Sequence, residues 1–127
     1  MSCNNNKNIL IIDDDISVVS ITTRIIERFN YHGITALDGE SGLEILRDRC
    51  DEICLVILDL SMPGMDGYSV LLKIKEANYP VPVLIISGLE EDAAELIARN
   101  EFKFMSLRSL GKPYDMNALI RVVQELA

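Results

Sequence analysis

The chain has 127 residues, 49% apolar and 25% charged, which suits one ordered domain able to bury roughly two-thirds of its unfolded surface. Twelve basic and 20 acidic side chains leave a net charge of −8, which argues against a nucleic-acid-binding surface and reads most simply as solubility. Cys3, Cys50 and Cys54 show neither metal nor disulfide spacing, Met1 to Lys7 is polar, and no apolar run approaches the roughly 20 residues of a membrane span, so a reduced, soluble, cytoplasmic protein is expected.

From the amino terminus, the first apolar run is Ile9–Ile12, followed by a helix-like stretch over 16–29 with Ile16, Val19, Ile25, Ile26 and Phe29. A second run, Gly33–Leu37, leads to a predicted helix over 41–49 carrying Leu43 and Leu46. The third, Leu55–Leu58, precedes the turn at Pro63-Gly64 and a helix over 66–77 that Asp66 can cap. Pro80 and Pro82 keep the chain extended into the fourth run, Val83–Ile86, after which Gly88 ends the strand and a helix is predicted over 91–99. The fifth run, Phe104–Leu110, is less clean. The last helix, 115–126, opens at the cap Asp115 and carries Leu119, Val122, Val123 and Leu126. Runs this short and continuous fit strands covered on both faces. The alternation predicts an α/β fold: a doubly wound, five-stranded parallel sheet flanked by five helices, in a single domain spanning 1–127. There is no repeat or linker, and no output domain is expected in the sequence as it stands.

In open parallel sheets ligands gather at the carboxyl ends of the strands, so the residues that follow each run are the candidates. They are Asp13, Asp14 and Asp15 after the first run and Asp59 after the third. Ser87-Gly88 follows the fourth run and Lys112-Pro113 the fifth. Crowded carboxylates repel unless a cation neutralises them, and an oxygen-rich set suits magnesium. Each residue also has a plainer reading. Asp15 can cap a helix, Asp59 can form a turn, Ser87 can cap the fourth helix, and Lys112 can be a surface lysine. Their convergence on one sheet edge favours a shared chemistry over four separate structural roles.

Four pieces of the chain resemble the receiver domains of two-component response regulators. They are Ile11-Ile12-Asp13-Asp14, Leu58-Asp59-Leu60-Ser61-Met62-Pro63-Gly64-Met65-Asp66-Gly67, Ile86-Ser87-Gly88 and Lys112-Pro113-Tyr114. They occur in that family's order, with 45 residues from Asp14 to Asp59, 28 from Asp59 to Ser87 and 25 from Ser87 to Lys112. The resemblance implies a flavodoxin-like sheet of order 2-1-3-4-5. It implies a signalling domain rather than an enzyme, catalysing only its own phosphorylation and dephosphorylation. In that family's terms Asp59 is the phospho-acceptor, taking a phosphoryl group from a sensor histidine kinase or phosphotransfer protein. Asp14, Asp59 and the backbone carbonyl of Ser61 would ligate Mg2+, with Asp13 supporting the metal directly or through water. The Ser87 hydroxyl and the Lys112 ammonium would bind the phosphoryl oxygens, and Pro113 would follow a cis peptide bond. The partners implied are the kinase and a downstream output domain or protein target. The face of the fourth helix, fifth strand and fifth helix would serve that target or a second copy in a homodimer. No nucleic acid and no membrane is expected as a direct partner.

Two departures concern output rather than chemistry. Members with an aromatic switch carry Tyr or Phe three residues before the lysine, where this chain has Ser109, and the interval from Ser87 to Lys112 is longer than usual. The switch is therefore expected in the loop from Ser87 to Asp92 and in a shift of the fourth helix, with no aromatic rotation at 109. An alternative is a degenerate receiver that docks partners without phosphorylation, against which the intact acidic and basic set speaks. A small-molecule phosphatase would want an acid two residues after Asp59, where Ser61 stands. A flavodoxin-type electron carrier would not place Asp13-Asp14-Asp15 where a phosphate must sit.

Overall fold

The structure is a computed structural model describing residues 7–60, 67–88, 95–99, 102–103, 105–112 and 114–127. Its strands are β1 (Asn8–Ile12), β2 (His32–Ala36), β3 (Ile53–Asp59), β4 (Val83–Ser87) and β5 (Leu107–Gly111). The helices are α1 (Ile16–Glu27), α2 (Gly39–Arg49), α3 (Gly67–Glu76), α4 (described over 95–98) and α5 (Met116–Leu126). All strand pairs are parallel, in the order β2-β1-β3-β4-β5, so the expected doubly wound sheet is the one observed.

The three central strands are apolar over Ile9–Ile12, Ile53–Leu58 and Val83–Ile86 because both sheet faces are covered. On one face Leu10, Ile12, Val56, Leu58, Val83 and Ile85 pack with Leu46, Val70, Leu71 and Ile74 of α2 and α3. On the other, Ile9, Ile11, Leu55, Ile57, Leu84 and Ile86 pack with Val19 and Ile26 of α1 and with Leu119 and Val123 of α5. Strict alternation fails at Cys54 and Leu55, which lie on the same side. A register shift against β1 between Asn8 and Ile9 inserts the extra residue there. Neither Cys50 nor Cys54 is in a disulfide, and among the described residues no helix is long and apolar enough to cross a membrane.

Four boundaries differ from the sequence reading by two or more residues, the first being that β3 starts at Ile53 rather than Leu55. Helix α2 starts at Gly39 rather than 41, because the Asp38 carboxylate accepts from the Ser41 N–H at 2.7 Å and caps it earlier. Helix α1 ends at Glu27, and Asn30, at φ 71°, turns the chain back toward β2. Strand β5 begins at Leu107, three residues late. Phe102 and Met105 are apolar because two successive turns, Phe102 N–H to Arg99 O and Met105 N–H to Phe102 O, point them at the core. Asp66, Phe104 and the start of the predicted fourth helix lie outside the described residues.

Candidate functional site

The carboxyl edge of the sheet is built by register. Ile12 pairs with Leu58, so Asp13 and Asp59 are the next residues of adjacent strands, and Asp59 in turn pairs with Ile86, one residue before Ser87. One carboxylate oxygen from each of Asp13, Asp14 and Asp59 lies within 4.8 Å of the other two. Asp13 and Asp59 are buried, each 4% exposed, while Asp14 is open to solvent. The Asp13 backbone is tied to β2 through Ala36 O at 3.1 Å, and its Oδ1 accepts from the Asp15 N–H at 2.9 Å. Asp15 is the α1 cap, accepting from the Ser17 and Val18 N–H groups, so the reading of Asp15 as a cap agrees with the structure. One helix entry thus brings two acids to the sheet edge, one buried and one exposed, and uses the third for capping.

Burial pushes the Asp13 carboxyl from 3.8 up to about 6, and repulsion from Asp59 and Asp14 adds to it. The Asp15 N–H and Lys112 oppose the rise without cancelling it. A buried acid held this high next to two others is an electrostatic deficit that a small hard cation offsets, and carboxylate oxygen is the ligand such a cation takes. The donor set fits magnesium.

Lys112 reaches in from the opposite side. Its Nζ is 3.6 Å from Asp59 Oδ2, with the lysine side chain 37% exposed and the aspartate 5%. That distance exceeds a good hydrogen bond, so the contact is a loose ion pair whose cation can move to a new oxygen without disturbing the core. The Lys112 N–H donates to Ser87 O at 2.8 Å, which joins the ends of β4 and β5. Ser87 is buried at that end of β4, 4% exposed. At Gly88 a Cβ would meet nothing within 4 Å, so the space beside Ser87 is open. The structure thus brings Asp13, Asp14, Asp59 and Lys112 together, with Ser87 at the adjoining strand end. Ser61 and Pro113, and with them the carbonyl ligand and the cis peptide, lie outside the described residues.

One residue that positions the site stands out in the sequence only as part of a motif. Gly67, the first residue of α3, donates to Leu60 O at 3.1 Å, and a Cβ there would lie 2.5 Å from Leu60 Cα and 2.9 Å from Asp59 O. Only glycine lets α3 start against the backbone that carries Asp59.

The chain belongs to the response regulator receiver domain family, whose pattern matches residues 9–124. It is 26% identical over 118 residues to the alkaline phosphatase synthesis transcriptional regulatory protein PhoP of Bacillus subtilis, covering 93% of this chain and 48% of that protein. It is 35% identical over 116 residues to the transcriptional regulatory protein ZraR of Escherichia coli O157:H7, covering 90% of this chain and 25% of that one. The chain therefore spans about half or less of the length of these curated relatives. Among solved structures, it resembles a receiver domain protein from Clostridium thermocellum, with a TM-score of 0.83, 26% identity, and coverage of 94% and 92% of the two chains. A chain in the CheX–CheY–BeF3–Mg2+ complex of Borrelia burgdorferi gives a TM-score of 0.82 at 30% identity, covering 93% and 87%. This protein is thus a receiver domain of the response regulators of two-component systems.

Proposed function

We propose that the chain is a single cytoplasmic receiver domain that accepts a phosphoryl group on Asp59 from a sensor histidine kinase or phosphotransfer protein. The observation that carries this reading is the buried Asp59 carboxylate, flanked by Asp13 and Asp14 and contacted by the Lys112 ammonium at 3.6 Å. In the reaction an Asp59 oxygen attacks phosphorus, a P–O bond forms, the P–N bond to the donor imidazole breaks, and the imidazole keeps the electron pair. A carboxylate cannot approach a phosphoryl group unless charge on both is screened. Asp13, Asp14, Asp59 and the Ser61 carbonyl would hold Mg2+, which supplies that screening on one side when bound. Lys112 supplies it on the other, shifting from Asp59 to a phosphoryl oxygen. Ser87 donates its hydroxyl to another oxygen, and the opening beside Gly88 admits the group. The relatives' names and the complex containing CheY, BeF3 and Mg2+ support the same reading. The downstream target would use the face of α4, β5 and α5, alone or as a homodimer. No particular observation favours a docking module that is never phosphorylated.

The test is intact-mass measurement after incubation with acetyl phosphate and Mg2+. Wild type is expected to gain one phosphoryl group, and to gain none with EDTA or as Asp59→Asn. Labelling of Asp59→Asn at the wild-type level would remove Asp59 from its role. Lys112→Met keeps the side-chain volume and deletes the charge, so it is expected to fold normally and to label more slowly by about tenfold or more, read by the same assay.

Mg2+ binding should also depend on pH. With the Asp13 pKa near 6, a proton competes for the site below that value and not above it. Calorimetric titration is expected to give affinity roughly tenfold weaker at pH 5 than at pH 7.5. Equal affinity at the two would mean that Asp13 is not at the metal.

A further inference from the structure

Strand β5 offers no aromatic to follow a movement of Ser87, since Ser109 pairs with Ile85 as a small, half-buried residue. An aromatic contact lies instead between the start of α3 and the turn that follows α4. The Tyr68 and Phe102 rings meet edge to face, with centroids 5.9 Å apart and planes at 81°. The Arg99 guanidinium lies over the Tyr68 ring, 5.0 Å from its centroid.

The backbone connects this cluster to Asp59 in three short steps. Leu60 follows Asp59, Gly67 N–H donates to Leu60 O at 3.1 Å, and Tyr68 follows Gly67. A Cβ on Gly67 would lie 2.5 Å from Leu60 Cα, so the two backbones pack against each other with no side chain between them. At the far end Phe102 is 1% exposed and is one of the largest fully buried side chains, so it cannot shift without repacking the core. Arg99 is exposed, and its N–H closes the last turn of α4 on Leu96 O at 3.1 Å. Between the Arg99 and Phe102 contacts of Tyr68, the one with exposed Arg99 changes more easily than the one with buried Phe102.

We propose that Tyr68 is a positioning residue that reports the state of the Asp59 site to the end of α4, with Phe102 as its fixed anchor and the Arg99–Tyr68 contact as the part that changes. The proposal rests on the reading of Asp59 as the phospho-acceptor. A displacement of Leu60 on phosphorylation moves Gly67 and Tyr68, the ring tilts against Phe102, and Arg99 loses or tightens its seat. The α4 end then differs between the two states by the difference in that contact.

The experiment measures amide exchange over residues 95–103, with and without beryllofluoride and Mg2+, in wild type, Arg99→Gln, Tyr68→Phe and Tyr68→Leu. Acetyl phosphate labelling of each variant checks Asp59 separately. Wild type and Tyr68→Phe, which both keep the ring face, are expected to show the same change in exchange. Arg99→Gln is expected to label normally while its change shrinks by about two- to fivefold, the size of a modest coupling. Tyr68→Leu is expected to lose the change, and if it fails to fold, Arg99→Gln and Tyr68→Phe decide. A full wild-type response in Arg99→Gln, or no response over 95–103 in a wild type that binds the probe, overturns the proposal. A folded wild type that neither labels nor binds beryllofluoride overturns the Asp59 reading itself, and this proposal falls with it.

Discussion

Asp13→Asn is expected to produce a domain that is more stable without metal and far worse at binding it. The wild-type carboxyl titrates near 6 in the folded chain and near 3.8 when unfolded. Below pH 4 both states carry the proton and the group costs nothing. Between pH 4 and 6 the unfolded chain ionises first, so stability falls as pH rises through that window, and above 6 the penalty is complete. At pH 7.5 it amounts to about 3 kcal/mol for a shift of this size. Asparagine keeps an oxygen for the Asp15 N–H and carries no charge. In EDTA at pH 7.5 the variant is expected to melt roughly 5–10 °C above wild type. Its Mg2+ affinity should drop at least tenfold, because a ligand and an attracting charge are both gone. A variant that melts at or below wild type in EDTA would show that the three acids do not strain the metal-free fold.

Gly67→Ala is expected to be the most damaging of three glycine substitutions, in an order set by what each new methyl meets. At Gly67 the methyl lies 2.5 Å from Leu60 Cα and 2.9 Å from Asp59 O, backbone atoms that cannot rotate away. The cost is about 2–3 kcal/mol, and the strain falls on the segment that aims Asp59. At Gly42 the methyl meets Ile12 Cδ1 at 2.4 Å and Cγ1 at 2.7 Å, a buried side chain rather than backbone, and the gain in helix propensity of about 1 kcal/mol offsets part of the clash. At Gly88 it meets nothing within 4 Å, so Gly88→Ala should be close to neutral for stability. Urea midpoints for the three variants check the order. A Gly67→Ala domain as stable as Gly88→Ala would mean that α3 can start elsewhere.

The central strands were legible in the sequence because both of their faces are covered, which leaves Ile9–Ile12, Leu55–Leu58 and Val83–Ile86 as unbroken apolar runs. The edge strand β5 was less so. Phe102 and Met105 are as apolar as strand residues but enter the core from turns, and periodicity does not separate the two cases. That acids would follow β1 and β3 at one edge came from chain order and the parallel topology alone. That Lys112 lies 3.6 Å from Asp59 needed the tertiary structure, because 53 residues separate them. The resemblance supplied that pairing as an expectation. The contacts of Tyr68 with Arg99 and Phe102 carried no sequence signal, since they join separate elements at no regular spacing. Gly67 was visible as a letter in a motif, and its backbone clash with Leu60 was not.

The most direct measurement is reductive trapping of the phosphorylated chain. An aspartyl phosphate is reduced by borohydride to homoserine, which marks the acceptor permanently at a single residue. Wild-type protein treated with acetyl phosphate and Mg2+, then reduced and digested, should yield homoserine at position 59 and aspartate at 13 and 14. Homoserine at another acid, or none in protein whose mass shows a phosphoryl group, would contradict the assignment of Asp59 as the acceptor.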